Sequence, residues 1–197
     1  MPEPLSSSPR ARHRSAASDA LVFDLRELGR RPGALREYQR FVPAPAGLGT
    51  EVIGVPDGAM LDLQVRLESV TEGVLVTGTV TAPLAGQCAR CLDPLTDQLR
   101  VEVCELFAYR ASTTDTTTEL DEVFRVEGDL LDLEPLVRDA VVLALPWTPL
   151  CRPDCTGLCP QCGQRLDDLP ADHSHDLLDP RWAALAAFRP TNNDESE

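Results

Sequence analysis

The chain has no lysine: all 18 of its basic residues are arginine, a bias that reads as coding composition and carries no mechanistic weight. Aromatic residues make up only 5%, so a core has to be built from Val, Leu and Ala. No run of about 18 apolar residues occurs, so the sequence offers no transmembrane helix. The opening stretch, MPEPLSSSPRARHRSAASDA, holds arginines without an apolar central region and does not read as a secretory signal. A cytoplasmic, reducing setting is therefore expected, where cysteines favour metal over disulfides. Catalytic signatures are missing as well: there is no GxSxG, no phosphate-cradling glycine loop and no HExxH. Only three histidines are present, and His13 lies in the N-terminal arm, so general bases are few. No enzymatic activity is expected.

What is present starts with acid. The formal charge is −14 over 197 residues, a length that suits one moderate domain with tails or a small appendage. Residues 1–40 carry eight arginines against five acids, and residues 41–197 carry ten against twenty-seven, a balance of −17. A body that acidic is poorly suited to holding naked nucleic acid by phosphate neutralisation.

Along the chain, residues 1–19 are rich in Ser, Pro, Ala and Arg and are expected to be a disordered arm. A β-rich body follows over 20–148. Leu21–Leu25 reads as a short strand, Ala34–Phe41 as extended or weakly amphipathic, and Thr50–Val55 as a further strand. Period-two alternation is clearest in Met60–Val70, where Leu61, Leu63, Val65 and Leu67 alternate with Asp62, Gln64, Arg66 and Glu68. Gly73–Ala82 and Gln98–Ala108 repeat that pattern. Arg110–Glu119 is polar and reads as a mobile loop, and Val123–Val126 as one more strand. Asp132 can cap a helix over 132–145, with Leu133, Leu136, Val137, Ala140, Val141 and Ala144 as its apolar stripe. The Cys-rich tail spans 149–189 and ends in a short helix, Arg181–Phe188, before a disordered acidic end over 190–197. The fold class expected is α+β: a mostly antiparallel sheet or small partly open barrel with one packed helix, a zinc-knuckle tail and a short C-terminal helix.

Four of the seven cysteines, Cys151, Cys155, Cys159 and Cys162, fall within LCRPDCTGLCPQCG, with Pro153, Gly157, Pro160 and Gly163 bending the backbone between them. Tetrahedral zinc needs four ligands at about 2.0–2.3 Å, so ligands close in sequence must sit on tight turns. The CPxCG stretch Cys159–Gly163 provides one, its glycine permitting positive φ after the second ligand. These four thiolates are the expected ligands of one structural Zn(2+), saturated and without an open position for catalysis. His173 and His175 form an HxH pair held in reserve as substitute ligands. For Cys88-Ala89-Arg90-Cys91 the favoured expectation is a strand-connecting turn with buried small side chains and a solvent-facing Arg90. Two alternatives stand beside it: a redox pair, or half a metal site completed by Cys159 and Cys162. A metal-handling role using the tail with the HxH pair is a further alternative. Cys104 is expected to be an ordinary half-buried thiol.

The combination of GQCARCLDPL (Gly86–Leu95), VFRVEGDLLDLEPLVRDAVVLALP and LCRPDCTGLCPQCGQRL resembles the YceD-type family, and the final DPRWAALAAF is similar to the closing segment of actinobacterial members. The resemblance covers roughly residues 20–189. It implies a non-enzymatic role in synthesis, processing or stability of 23S ribosomal RNA, or in large-subunit assembly. Given the acidic body, the partner expected on assembly intermediates is a basic protein rather than the RNA itself.

Overall fold

A computed structural model describes residues 16–118, 123–175 and 181. The chain divides into two units, Met1–Cys155 and Thr156–Glu197. Cys151 and Cys155 therefore belong to the body, whereas the composition placed them with the tail. The expected disorder of 1–15 and 190–197, and most of the expected helix Arg181–Phe188, lie outside the described residues. Residues 16–19 open a short helix, α1 (Ala16–Ala20), and so depart from the expected disorder.

In the first unit the order after α1 is β1 (Val22–Asp24), β2 (Leu35–Pro43), β3 (Ile53–Gly54), β4 (Met60–Ser69), β5 (Gly73–Gln87), β6 (Pro94–Ala108), α2 (Thr113–Thr117), β7 (Leu130–Asp132) and α3 (Glu134–Ala144). The sheet runs β2-β4-β5-β6, all antiparallel, with β3 pairing β5 beyond the end of β4. β1 and β7 form a separate antiparallel pair. The architecture is α+β on an open sheet rather than a closed barrel.

Alternation decides which face is buried. Leu61, Leu63, Val65 and Leu67 of β4, with Val74, Val76, Val80, Ala82 and Leu84 of β5, form the core with Leu133, Leu136, Val137 and Val141 on and beside α3. Burying such a set removes apolar surface from water at roughly 25 cal/mol per Å². The strand β5 outruns its expected end at Ala82. Pro83 is tolerated because it falls between Thr81, which pairs with β4, and Ala85, which pairs with β3, so its missing N–H interrupts no ladder bond there. At Gly78 an added Cβ would stand 2.1 Å from the Gln64 carbonyl oxygen, so β4 and β5 approach as only glycine allows.

Three local expectations change. The polar Arg110–Glu119 stretch forms the short helix α2, capped by the Ser112 side chain, which accepts from the Asp115 N–H at 3.2 Å. Val123–Val126 contributes only a single bridge, Ala108 to Arg125, instead of a strand. The cap of α3 is Leu133, though the Asp132 carboxylate still accepts from the Glu134 N–H at 3.0 Å.

Candidate metal centres

β5 and β6 pair over fifteen residues each, from Gly73 with Ala108 to Gln87 with Pro94. The residues left to close the hairpin are Cys88 to Asp93, so the CARC sequence is carried at its tip. The loop is closed by Cys88 N–H donating to the Asp93 carbonyl at 2.8 Å and Leu92 N–H donating to the Cys88 carbonyl at 3.0 Å. Leu92 takes φ +60°, a left-handed conformation that costs a non-glycine residue about 1–2 kcal/mol. Both cysteines of the tip are buried.

The chain returns to this tip after α3. The Pro149 carbonyl accepts from Ala89 N–H at 2.7 Å, and the Cys155 carbonyl accepts from the Arg90 guanidinium at 2.7 Å. Cys151 and Cys155 thereby meet Cys88 and Cys91, and the four sulfurs lie within 4.8 Å of one another. Cys88 Sγ is 3.8 Å from Cys155 Sγ, and Cys91 Sγ is 3.6 Å from Cys151 Sγ. A disulfide would need about 2.05 Å. A zinc tetrahedron with Zn–S of about 2.3 Å has sulfur–sulfur edges of about 3.8 Å, so the donor set and spacing fit that ion. Cys88, Cys91 and Cys155 are buried, and Cys151 is exposed.

The second unit carries an analogous tip. Cys159 N–H donates to the Gln164 carbonyl at 2.7 Å, and Gly163 N–H donates to the Cys159 carbonyl at 2.8 Å. Gly163 has φ +70°, reached without the cost paid at Leu92. The two CxxC loops thus share one hydrogen-bond pattern. Here the other two donors are imidazoles: Cys159, Cys162, His173 and His175 form a group within 4.8 Å. His173 Nε2 is 3.7 Å from Cys162 Sγ and 2.9 Å from His175 Nε2. Cys159 is buried, His173 half-buried, and Cys162 and His175 exposed.

The loop amides prepare one thiolate in each group. In the first, the Cys91 N–H bonded to Cys88 is the main cause lowering its thiol to about 6, against the opposing effect of burial. In the second, the N–H groups of Cys162 and Gln161 lower Cys159 to about 6, again against burial. Cys91 receives the lowering Asp93 N–H, but burial and the neighbouring Cys88, Cys151 and Cys155 thiols together push it up to about 12. Cys151 is also raised: the lowering contact with Cys91 is outweighed by burial and by Cys155 and Cys88.

The residues grouped by sequence spacing as one site are thus shared between two. Cys151 and Cys155 join Cys88 and Cys91, while Cys159 and Cys162 join His173 and His175, the pair held in reserve. Cys88 and Cys91 are the ligand-type residues that spacing undervalued, and the alternative that paired them with Cys159 and Cys162 chose the wrong half of the tail. Arg90 is exposed, as expected, and its guanidinium also bonds the ligand loop at the Cys155 carbonyl. Cys104 is exposed rather than half-buried and joins neither group. The usable signal was that CARC and CPQC have identical spacing and each is followed by a turn.

Fold and site together define an α+β protein whose first unit, an open antiparallel sheet, carries one group of zinc-type ligands and whose second unit carries another. The chain belongs to the YceD family: the family model described as large ribosomal RNA subunit accumulation protein YceD matches residues 76–189, a span that includes all eight ligand-type residues. An uncharacterised protein of Mycobacterium tuberculosis is 55% identical over 165 residues, covering 84% of this chain and 79% of its own length. One from Mycobacterium leprae is 47% identical, covering 84% of this chain and 76% of its own. The uncharacterised protein YlbN of Bacillus subtilis is 29% identical over 108 residues, 54% of this chain and 61% of its own length. No solved structure matches the chain significantly.

Proposed function

We propose that this protein is a non-enzymatic accessory factor for accumulation of large-subunit ribosomal RNA, acting in the cytoplasm and held in shape by two structural zinc ions. The observation that carries the structural part is the four-sulfur group at the hairpin tip. Four protein ligands at tetrahedral spacing saturate zinc, leaving no position for water or substrate. What such an ion supplies is cross-linking: it ties the tip to the loop after α3. Arg90 supports it from outside, placing positive charge beside a centre that four thiolates and one zinc leave at −2.

The family description supports the ribosomal part of the proposal. The partner we favour is a basic protein on a large-subunit precursor. The excess of acids over arginines beyond residue 40 repels phosphate and attracts such a protein, speeding encounter at low salt. Depletion in a native host, followed by sucrose-gradient profiles and 23S quantification, tests this reading. Mature 23S and free large subunits are expected to fall, and the tagged protein is expected to co-sediment with large-subunit precursors. Unchanged profiles with no co-sedimentation would sink it.

A further inference from the structure

The last strand of the sheet, β6, bonds β5 along one edge only. Among the described residues its other edge is met at Ala108 alone, by Arg125 and its neighbours. An open strand edge presents a row of unpaired amides and carbonyls, and proteins usually cover or blunt it. On the core face of this edge, Leu99 and Val101 are only half-buried, although their register partners on β5, Ala82 and Val80, are sealed. Among the described residues nothing seals them fully.

We infer that the strand covering this edge is β6 of a second copy, paired antiparallel about a two-fold axis at Val101. The sequence of the edge is complementary to itself in that register. On the core face Val101 meets Val101 of the other copy, and Leu99 meets Val103, twice by symmetry. On the outer face Arg100 meets Glu102, also twice, and Gln98 meets Cys104. Arg100, Glu102, Gln98 and Cys104 are all exposed, so the described residues leave them accessible to a second copy.

Neighbouring registers are worse. A two-fold axis keeps each face with its own kind, so the register can move only in steps that shift the axis by whole residues. An axis at Arg100 sets arginine against arginine, and one at Glu102 sets glutamate against glutamate. β2, the other outer strand, lacks this property: an axis at Tyr38 opposes Arg36 to Arg40, and one at Glu37 opposes two glutamates. One adverse pair accompanies the favoured register on β6, Asp97 opposite Glu105, four residues from the axis. Hence the pairing is selective without being strong.

Sedimentation of the zinc-loaded full chain over a concentration series tests the assignment. The wild type should dimerise. Arg100→Glu turns two attractive cross-strand pairs into two repulsive ones and should weaken the dimer about 10- to 100-fold. The exchange Arg100→Glu with Glu102→Arg should restore it, and Asp97→Asn should tighten it. Because Arg100 and Glu102 are exposed, these variants leave the core intact. Independently, Gln98→Cys should cross-link to the native Cys104 of the second copy on mild oxidation, and Cys104→Ser should abolish that link. A wild type monomeric to about 100 µM, a dimer indifferent to charge reversal, or a Gln98→Cys variant that fails to cross-link would each overturn the inference.

Discussion

Zinc binding at the hairpin-tip centre should depend steeply on pH, in a direction and amount fixed by its four thiols. Zinc takes thiolates, so each thiol still protonated in the metal-free group must release its proton on binding. At pH 7.5 Cys88, lowered to about 6, is already ionised. Cys91, pushed up to about 12, and Cys151, raised above its ordinary value, are protonated. At least two protons therefore leave with each ion bound. Raising the pH favours binding, and affinity should climb at least about 100-fold per pH unit between 7 and 8. Below about pH 6 Cys88 takes up its proton too, adding roughly another tenfold per unit. The assay is competition against a chromophoric chelator of known pH dependence, in a Cys159→Ser, Cys162→Ser variant that retains only the first centre. A slope well below 100-fold per unit would mean that Cys91 and Cys151 do not both give up a proton to the ion, refuting the ligand set.

Other outcomes follow from the same geometry. In native mass spectrometry the wild type should carry two zinc ions. Cys91→Ser or Cys151→Ser should each remove one, Cys162→Ser or His173→Gln the other, and any of these variants that keeps both ions contradicts the partition. The second centre exposes Cys162 and His175, so a chelator chase should be biphasic, its fast phase missing from the Cys162→Ser variant; a single phase would show the two centres equally protected. Gly78→Ala should destabilise the sheet by about 1–3 kcal/mol, because the new Cβ must displace the Gln64 carbonyl, 2.1 Å away, and Val65 Cα, 2.8 Å away. For a chain of this size that lowers Tm by roughly 2–12 °C, and an unchanged melt would show that β4 yields more easily than its pairing implies.

Much of the sheet could be read from residues alone because alternation is a local property. Leu61 to Leu67 declare their buried face without reference to any other segment, and the α3 stripe does the same at helical spacing. The reading failed where a neighbour decides. Pro83 looks like a strand end until β5 is seen to lack a partner at that position on one side. Val123–Val126 has strand composition but meets β6 only at Ala108. The choice of ligands failed for the same reason. Cys151 and Cys155 are near Cys159 in sequence, yet their partners are set by where the chain after α3 crosses a hairpin tip made some 60 residues earlier. Spacing could announce thiols suited to metal; only the crossing could sort them into pairs. Gly163 announced its own left-handed turn, whereas Leu92 concealed one.

The hairpin-tip centre also imposes an order on synthesis. Cys88 and Cys155 are separated by 67 residues, so the ribosome spends roughly 3–13 s between them at ordinary elongation rates. Once β6 is complete at Ala108, and for the rest of that interval, the finished hairpin displays two thiols whose eventual partners are not yet made. The nascent chain is open to oxidation or capture of a stray metal at that stage, and arrival of the Leu150–Cys155 segment ends the exposure. On the proposed zinc reading, zinc supply and translation speed should act together on the yield of correctly folded protein.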